Sequence, residues 1–269
     1  IRFASGWQRR VGVRRGKIMG TKTYSISNWK MHCSPAEASL LVNRLVKDVT
    51  RVASDTVVVL CPPVLDLTTV QAELRGHDRF AIGVQNIYPM DEGAFTGEVS
   101  AAMVKDLVDY AIIGHSERRH VFHERDGLIS QKVSACLRND IRPILCVGET
   151  QSEHAAGHTK QVVFDQLDAG TSLLTEEELE SLIIAYEPVW AIGTGENAEP
   201  KAVAEILAVI RGWFATKYSK ATSEAMPILY GGSVKGANAK MYLDLADCNG
   251  CLVGGASTNY KDFAKIVDA

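Results

Sequence analysis

The sequence predicts a single α/β domain of the (β/α)8 barrel class, and three observations carry that prediction. Eight short apolar runs recur along the chain, at 24–27, 56–60, 80–84, 110–113, 143–147, 182–186, 228–230 and 251–253. They are close to continuously apolar rather than alternating, as strands are when both faces of a parallel sheet are covered. Segments of helical period lie between them, the crossovers that parallel strands require. Finally, residues 20–269 run without a Pro/Gly/Ser-rich linker or a break in composition, a length suited to one barrel.

The first run, 24–27, ends at Asn28 and Lys30 and is followed by Ser34-Pro35-Ala36-Glu37, a capping box with proline at the first helical position. Leu41, Leu45 and Val49 then recur every four residues, which predicts a helix packed by one face. The run 80–84 ends at Gln85 and Asn86, 110–113 at His115, 143–147 at Glu149 and 182–186 at Glu187. Glu199-Pro200 opens another helix, with Val203, Ile206, Ile210 and Trp213 on one face. The last two runs end at Ser233 and at Gly254-Gly255. Polar residues thus collect where strands finish. A barrel gathers those ends at one mouth, where its active site lies, whereas the alternative of a doubly wound open sheet spreads them along an edge.

Of the 269 residues 46% are hydrophobic and 23% charged, enough to bury a substantial core and incompatible with a disordered or fibrous chain. No apolar run reaches the roughly 18 residues of a membrane-spanning helix, so no membrane association is expected. The formal charge is −3, but residues 1–18 hold Arg2, Arg9, Arg10, Arg14, Arg15 and Lys17 and no acid. Without those six, 23 basic residues face 32 acidic ones, a net of −9, which makes nucleic acid an unsuitable partner. Residues 1–19 read as a basic extension, either an Arg-rich transit peptide or an expression-derived stretch ahead of a start at Met19. The expected location is cytoplasmic, or an organelle if the extension is a transit peptide.

The six cysteines suit a reducing compartment, and Cys248 and Cys251, a C-x-x-C without a second pair or nearby histidine, read as packing residues. His120 with His123, and His154 with His158, have spacings that metal ligands tolerate but lack a carboxylate framework. They read as solvated helix faces, and no metal is expected.

At the strand ends the motifs become specific. Ser27-Asn28-Trp29-Lys30-Met31, Gly93-Ala94-Phe95-Thr96-Gly97-Glu98 and Gly114-His115-Ser116-Glu117-Arg118-Arg119 occur in that order. They are followed by the stretch from Ala185-Tyr186-Glu187-Pro188 to Gly195, then Tyr230-Gly231-Gly232-Ser233-Val234 and Val253-Gly254-Gly255-Ala256. From about Tyr24 to the C-terminus the chain resembles the triosephosphate isomerase family, and so a single-domain TIM barrel. The resemblance implies a cofactor-independent aldose–ketose isomerase of glycolysis and gluconeogenesis that interconverts dihydroxyacetone phosphate and D-glyceraldehyde 3-phosphate through an enediolate. It implies Glu187 as the base, His115 as the electrophile, and Asn28 and Lys30 as donor and fixed positive charge. Glu117 is expected to pair with Lys30. An apolar setting is expected to strengthen Glu187 as a base, and a helix N-terminus to keep the His115 ring neutral.

Phosphate binding needs backbone N–H groups that can come close, which Gly193, Ser233, Gly254 and Gly255 can supply. The segment 188–198 is expected to act as a lid, with apolar Val189, Trp190 and Ile192 between Pro188 and two glycines. The long loop 85–98, in this family, inserts into a second copy near Asn28 and Lys30, which implies a homodimer with Thr96 reaching the neighbour's site; self-packing is the alternative. The chain departs from the family at Thr258-Asn259 and at Glu196-Asn197-Ala198, both peripheral to the chemistry. The alternative function is a non-catalytic phosphate-binding barrel. A metal-dependent aldolase or epimerase would need strand-end ligands that the sequence lacks. Gly193-Thr194-Gly195-Glu196-Asn197-Ala198 has dinucleotide-site spacing, but the next strand ends in Tyr230-Gly231-Gly232, without the acidic residue that holds a ribose.

Overall fold

The computed structural model describes residues 22–49, 53, 55–192 and 197–269; the basic extension 1–19 lies outside them. Eight parallel strands close into one barrel in sequential order. They are β1 (Thr23–Asn28), β2 (Thr56–Cys61), β3 (Phe80–Val84), β4 (Tyr110–Ile113), β5 (Arg142–Val147), β6 (Ile183–Tyr186), β7 (Ile228–Tyr230) and β8 (Gly250–Val253). Each apolar run is a strand, with ends that coincide or differ by one residue. Closure comes from β1, which pairs with β2 on one side and with β8 on the other, Tyr24 opposite Gly250 and Ser27 opposite Val253. That pairing rules out the open sheet.

The helices that carry the chain back are α1 (Pro35–Asp48), α2 (Leu67–Glu73), α3 (Ala101–Val104), α4 (Ser116–His120) and α5 (Asp126–Arg138). They continue with α6 (Gln151–Ala155), α7 (Thr159–Thr171), α8 (Pro200–Lys217), α9 (Lys220–Ala225), α10 (Ala239–Leu243) and α11 (Tyr260–Val267). The α1 cap forms as its sequence requires: Glu37 accepts from both the backbone N–H and the hydroxyl of Ser34, each at 2.8 Å. Leu41, Leu45 and Val49 are buried beneath it.

The strands are apolar throughout because each one feeds two cores. Along β2, Val59 and Cys61 point into the barrel with Ile26, Ile112 and Leu252, while Val58 and Leu60 point outward against the helices. All six cysteines are free thiols. Cys61, Cys136, Cys146 and Cys251 are buried and behave as small apolar residues.

At the seam, Gly250 has φ +143°, and an added Cβ would lie 2.0 Å from the Tyr24 carbonyl oxygen. Gly250→Ala is therefore expected to destabilise the chain by about 2–4 kcal/mol, combining backbone strain with overpacking. Urea unfolding of the two proteins side by side measures this.

Candidate active site

Strands β1, β4, β5, β6, β7 and β8 deliver their polar successors to the same mouth. Asn28 is the last residue of β1 and is 4% exposed. Its Oδ1 accepts the Lys30 backbone N–H at 3.0 Å, which leaves the amide nitrogen as its donor end. Lys30 itself adopts φ +55°, a left-handed turn that takes the chain off the strand. Its Nζ lies 2.6 Å from Glu117 Oε1. Gly254, after β8, makes room for this lysine, since a Cβ there would stand 3.2 Å from Lys30 Cε.

His115 caps α4. Its Nδ1 accepts the Glu117 backbone N–H at 3.2 Å, and Nε2 faces Glu187 Oε1 at 3.0 Å. With Nδ1 occupied as an acceptor, the neutral ring carries its proton on Nε2. Arg119 secures the turn, donating to the carbonyls of Gly114 (2.8 Å) and Cys146 (3.0 Å) and pairing with Asp126 at 2.6 Å. Glu187 is 3% exposed, and its second oxygen accepts the Ser116 backbone N–H at 2.9 Å. Two glycines let it sit there. A Cβ on Gly148 would fall 1.8 Å from the Glu187 carbonyl oxygen, and one on Gly231 would fall 2.8 Å from its Cγ.

These contacts set the ionisation of the pair. Burial raises the Glu187 pKa, but the His115 ring, the Ser116 N–H and the Lys30 charge outweigh it, and the carboxyl titrates below its ordinary value. The expectation that desolvation strengthens the base is thus reversed in this arrangement. His115 moves the other way: burial lowers its pKa, yet the Glu187 carboxylate, with Glu117 behind it, raises the net value above the ordinary one. The neutral ring expected at a helix N-terminus matches the Nδ1 contact, but Glu187 works against it while it faces Nε2.

A model of the triosephosphate isomerase family matches residues 23–269. The triosephosphate isomerase of Caldanaerobacter subterraneus subsp. tengcongensis is 44% identical over 242 residues, covering 90% of this chain and 96% of its own. That of Clostridium tetani is 42% identical over 258 residues, 96% of this chain and 97% of its own. That of Carboxydothermus hydrogenoformans is 44% identical over 247 residues, 91% and 98%. The chain belongs to the triosephosphate isomerase family.

Within this member of the triosephosphate isomerase family, Asn28, Lys30, Glu117, His115, Glu187 and Gly254 form one chain of contacts. Ser233 and Gly255 follow β7 and β8 at the same mouth; the Ser233 carbonyl accepts from Asn238 Nδ2 at 3.2 Å, and Gly255 opens onto space. Gly193 lies outside the described residues, as does most of the glycine-containing half of the expected lid. Thr96 is not brought to this mouth; it is exposed on the loop after β3. There Tyr88 and Phe95 pack at 4.5 Å, and Arg138 holds the loop's base through the Pro89 carbonyl and Asp91, each at 3.0 Å. Among the described residues no group of three or more His, Cys, Asp or Glu side chains is placed to hold a metal ion.

The sequence reading missed the Ser116 N–H, because a backbone donor leaves no mark in side-chain identity. It read His154 as standing on a solvated face, which is where it lies, its side chain 44% exposed, but missed the stacking of its ring on Trp190.

The opposed shifts give a direct test. Removing the carboxylate charge in Glu187→Gln leaves burial to dominate His115, so its titration midpoint falls. Imidazole 15N shifts followed against pH in both proteins measure the change, and an unchanged midpoint would contradict the coupling.

Proposed function

We propose that this chain interconverts dihydroxyacetone phosphate and D-glyceraldehyde 3-phosphate without a cofactor. The observation that carries the reading is the buried Glu187 carboxylate 3.0 Å from His115 Nε2, beside the Lys30 ammonium. The reaction moves a carbon-bound proton to the neighbouring carbon, and it needs a base at carbon and a donor at oxygen. Glu187 takes the proton and returns it to the adjacent carbon. The His115 Nε2–H and the Asn28 amide donate to the oxygen on which charge develops, and Lys30 offsets the added negative charge.

The 3.0 Å contact between Glu187 and His115 leaves no room for a substrate between them. The carboxylate therefore leaves His115 and Ser116 as substrate enters. That departure removes the lowering contacts, so burial raises the base toward its working strength, and it releases His115 from the charge that favours imidazolium. Phosphate sits against the backbone N–H groups around Ser233, Gly254 and Gly255, beside Lys30.

The protein acts as a homodimer in the cytoplasm, its loop 85–98 seated on a second copy with Thr96 toward the neighbour's mouth. Exposed Met31, at 95%, together with Leu65 and Phe95, supports that interface. Residues 20–269 form the catalytic domain, and 1–19 lie outside the reaction.

A coupled assay for glyceraldehyde 3-phosphate tests the activity. Glu187→Asp withdraws the carboxylate by about 1 Å and lowers turnover on the order of 100-fold, with normal folding by circular dichroism. Lys30→Ala abolishes measurable turnover, whereas the chain lacking residues 1–18 keeps it. Unchanged turnover in Glu187→Asp rejects the base assignment. Phe95→Glu places a charge in the interface and shifts the protein to a monomer in sedimentation velocity, with loss of most activity; a dimeric Phe95→Glu protein rejects this interface.

A further inference from the structure

We infer that His154 is a positioning residue for the segment that carries Glu187, a role that rests on the isomerase reading above. Glu187 lies between Tyr186 and the turn containing Val189 and Trp190, and all three of these residues are tied to one acid, Glu149, which is fully buried after β5. Glu149 Oε1 accepts the Trp190 indole N–H at 2.8 Å, the Tyr186 hydroxyl stands 3.2 Å from both oxygens, and the Val189 N–H donates to the Glu149 carbonyl at 3.0 Å. His154, in α6, closes over this cluster from outside. Its ring stacks on Trp190 with centroids 4.5 Å apart and planes 25° apart, and Nδ1 stands 3.4 Å from Glu149 Oε1.

His154 is the member of the cluster open to solvent, its side chain 44% exposed against 0% for Glu149. Among the described residues Glu149 is the one carboxylate within 4 Å of its ring nitrogens. Its helix neighbour Glu153 is engaged at the α6 cap by the N–H and hydroxyl of Thr150, and α7 presents the neutral Thr159 hydroxyl, at 3.4 Å. A proton on His154 places a cation both on the face of Trp190 and against Glu149, and strengthens each contact. Both contacts hold Trp190 where it is. Because Glu187 must shift to reach substrate, the protonated ring holds the base back, and the neutral ring releases it.

The test compares wild type with His154→Phe, which keeps the stack but cannot be charged, and His154→Arg, which is charged throughout. Isomerase kcat/KM is measured from pH 5.5 to 8, a range that spans imidazole titration. The wild-type value relative to His154→Phe should fall about three- to tenfold toward pH 5.5, as expected for a partly exposed cation–π and ion-pair contact. His154→Arg should stay near the wild-type low-pH level, relative to His154→Phe, across the range. In parallel, the fluorescence attributable to Trp190, taken as the difference from Trp190→Phe, should be quenched toward low pH in wild type and not in His154→Phe. A ratio that stays within twofold across the range, or the same fluorescence transition in His154→Phe, would overturn the role. Absence of triose phosphate turnover in wild type, with the fluorescence transition intact, would instead overturn the isomerase reading and the positioning role that rests on it.

Discussion

The arrangement turns on keeping one carboxylate charged where water does not reach it. Glu187 is almost completely buried, and an isolated charge in such a place would be costly enough to neutralise itself. The surrounding structure answers that cost from several strands. After β4 the chain turns so that one backbone N–H and one imidazole meet the two oxygens, and the lysine after β1 adds a positive charge nearby. The ends of β5 and β7 contribute the absence of side chains, through Gly148 and Gly231. Donors and empty space are both needed, and they come from different strand ends.

The same solution creates the tension on which the proposed catalysis rests. A carboxylate satisfied by His115 and Ser116 is stable and weakly basic; one that has left them is buried, poorly compensated and strongly basic. In the proposed reaction the resting site stores the base in its less reactive form and exposes the stronger form only when substrate takes the place of those contacts. His115 and Glu187 perturb each other in opposite directions, so neither has an ionisation that belongs to it alone.

Much of this was legible in the sequence. The strands could be read because a barrel strand buries both faces, and so Val57 to Leu60 or Tyr110 to Ile113 stand out without any periodicity. Asn28, Lys30, His115 and Glu187 could be read because each stands within three residues of the end of such a run, in a motif that resembles the family's. What escaped depends on neighbours that the chain does not place side by side. Ser116 meets Glu187 through its backbone, and the direction of the Glu187 shift follows from the sum of contacts from three strand ends. The partners of His154 lie on the loop after β5 and the turn after β6, so its helical spacing with His158 pointed only to an exposed face.

Barrel closure has a consequence for biosynthesis. β1, made before the other seven strands of the barrel, carries Asn28 and leads into Lys30, but one of its edges is completed only by β8, the last of the eight. While the polypeptide is emerging, β1 has an open edge and Lys30 lacks the Gly254 backbone beside it. No shorter nascent chain can hold the whole site, and the unpaired edge is the surface at which two incomplete chains would join wrongly. Activity therefore cannot appear before β8 has left the ribosome, and the interval before it is when protection of the chain matters most.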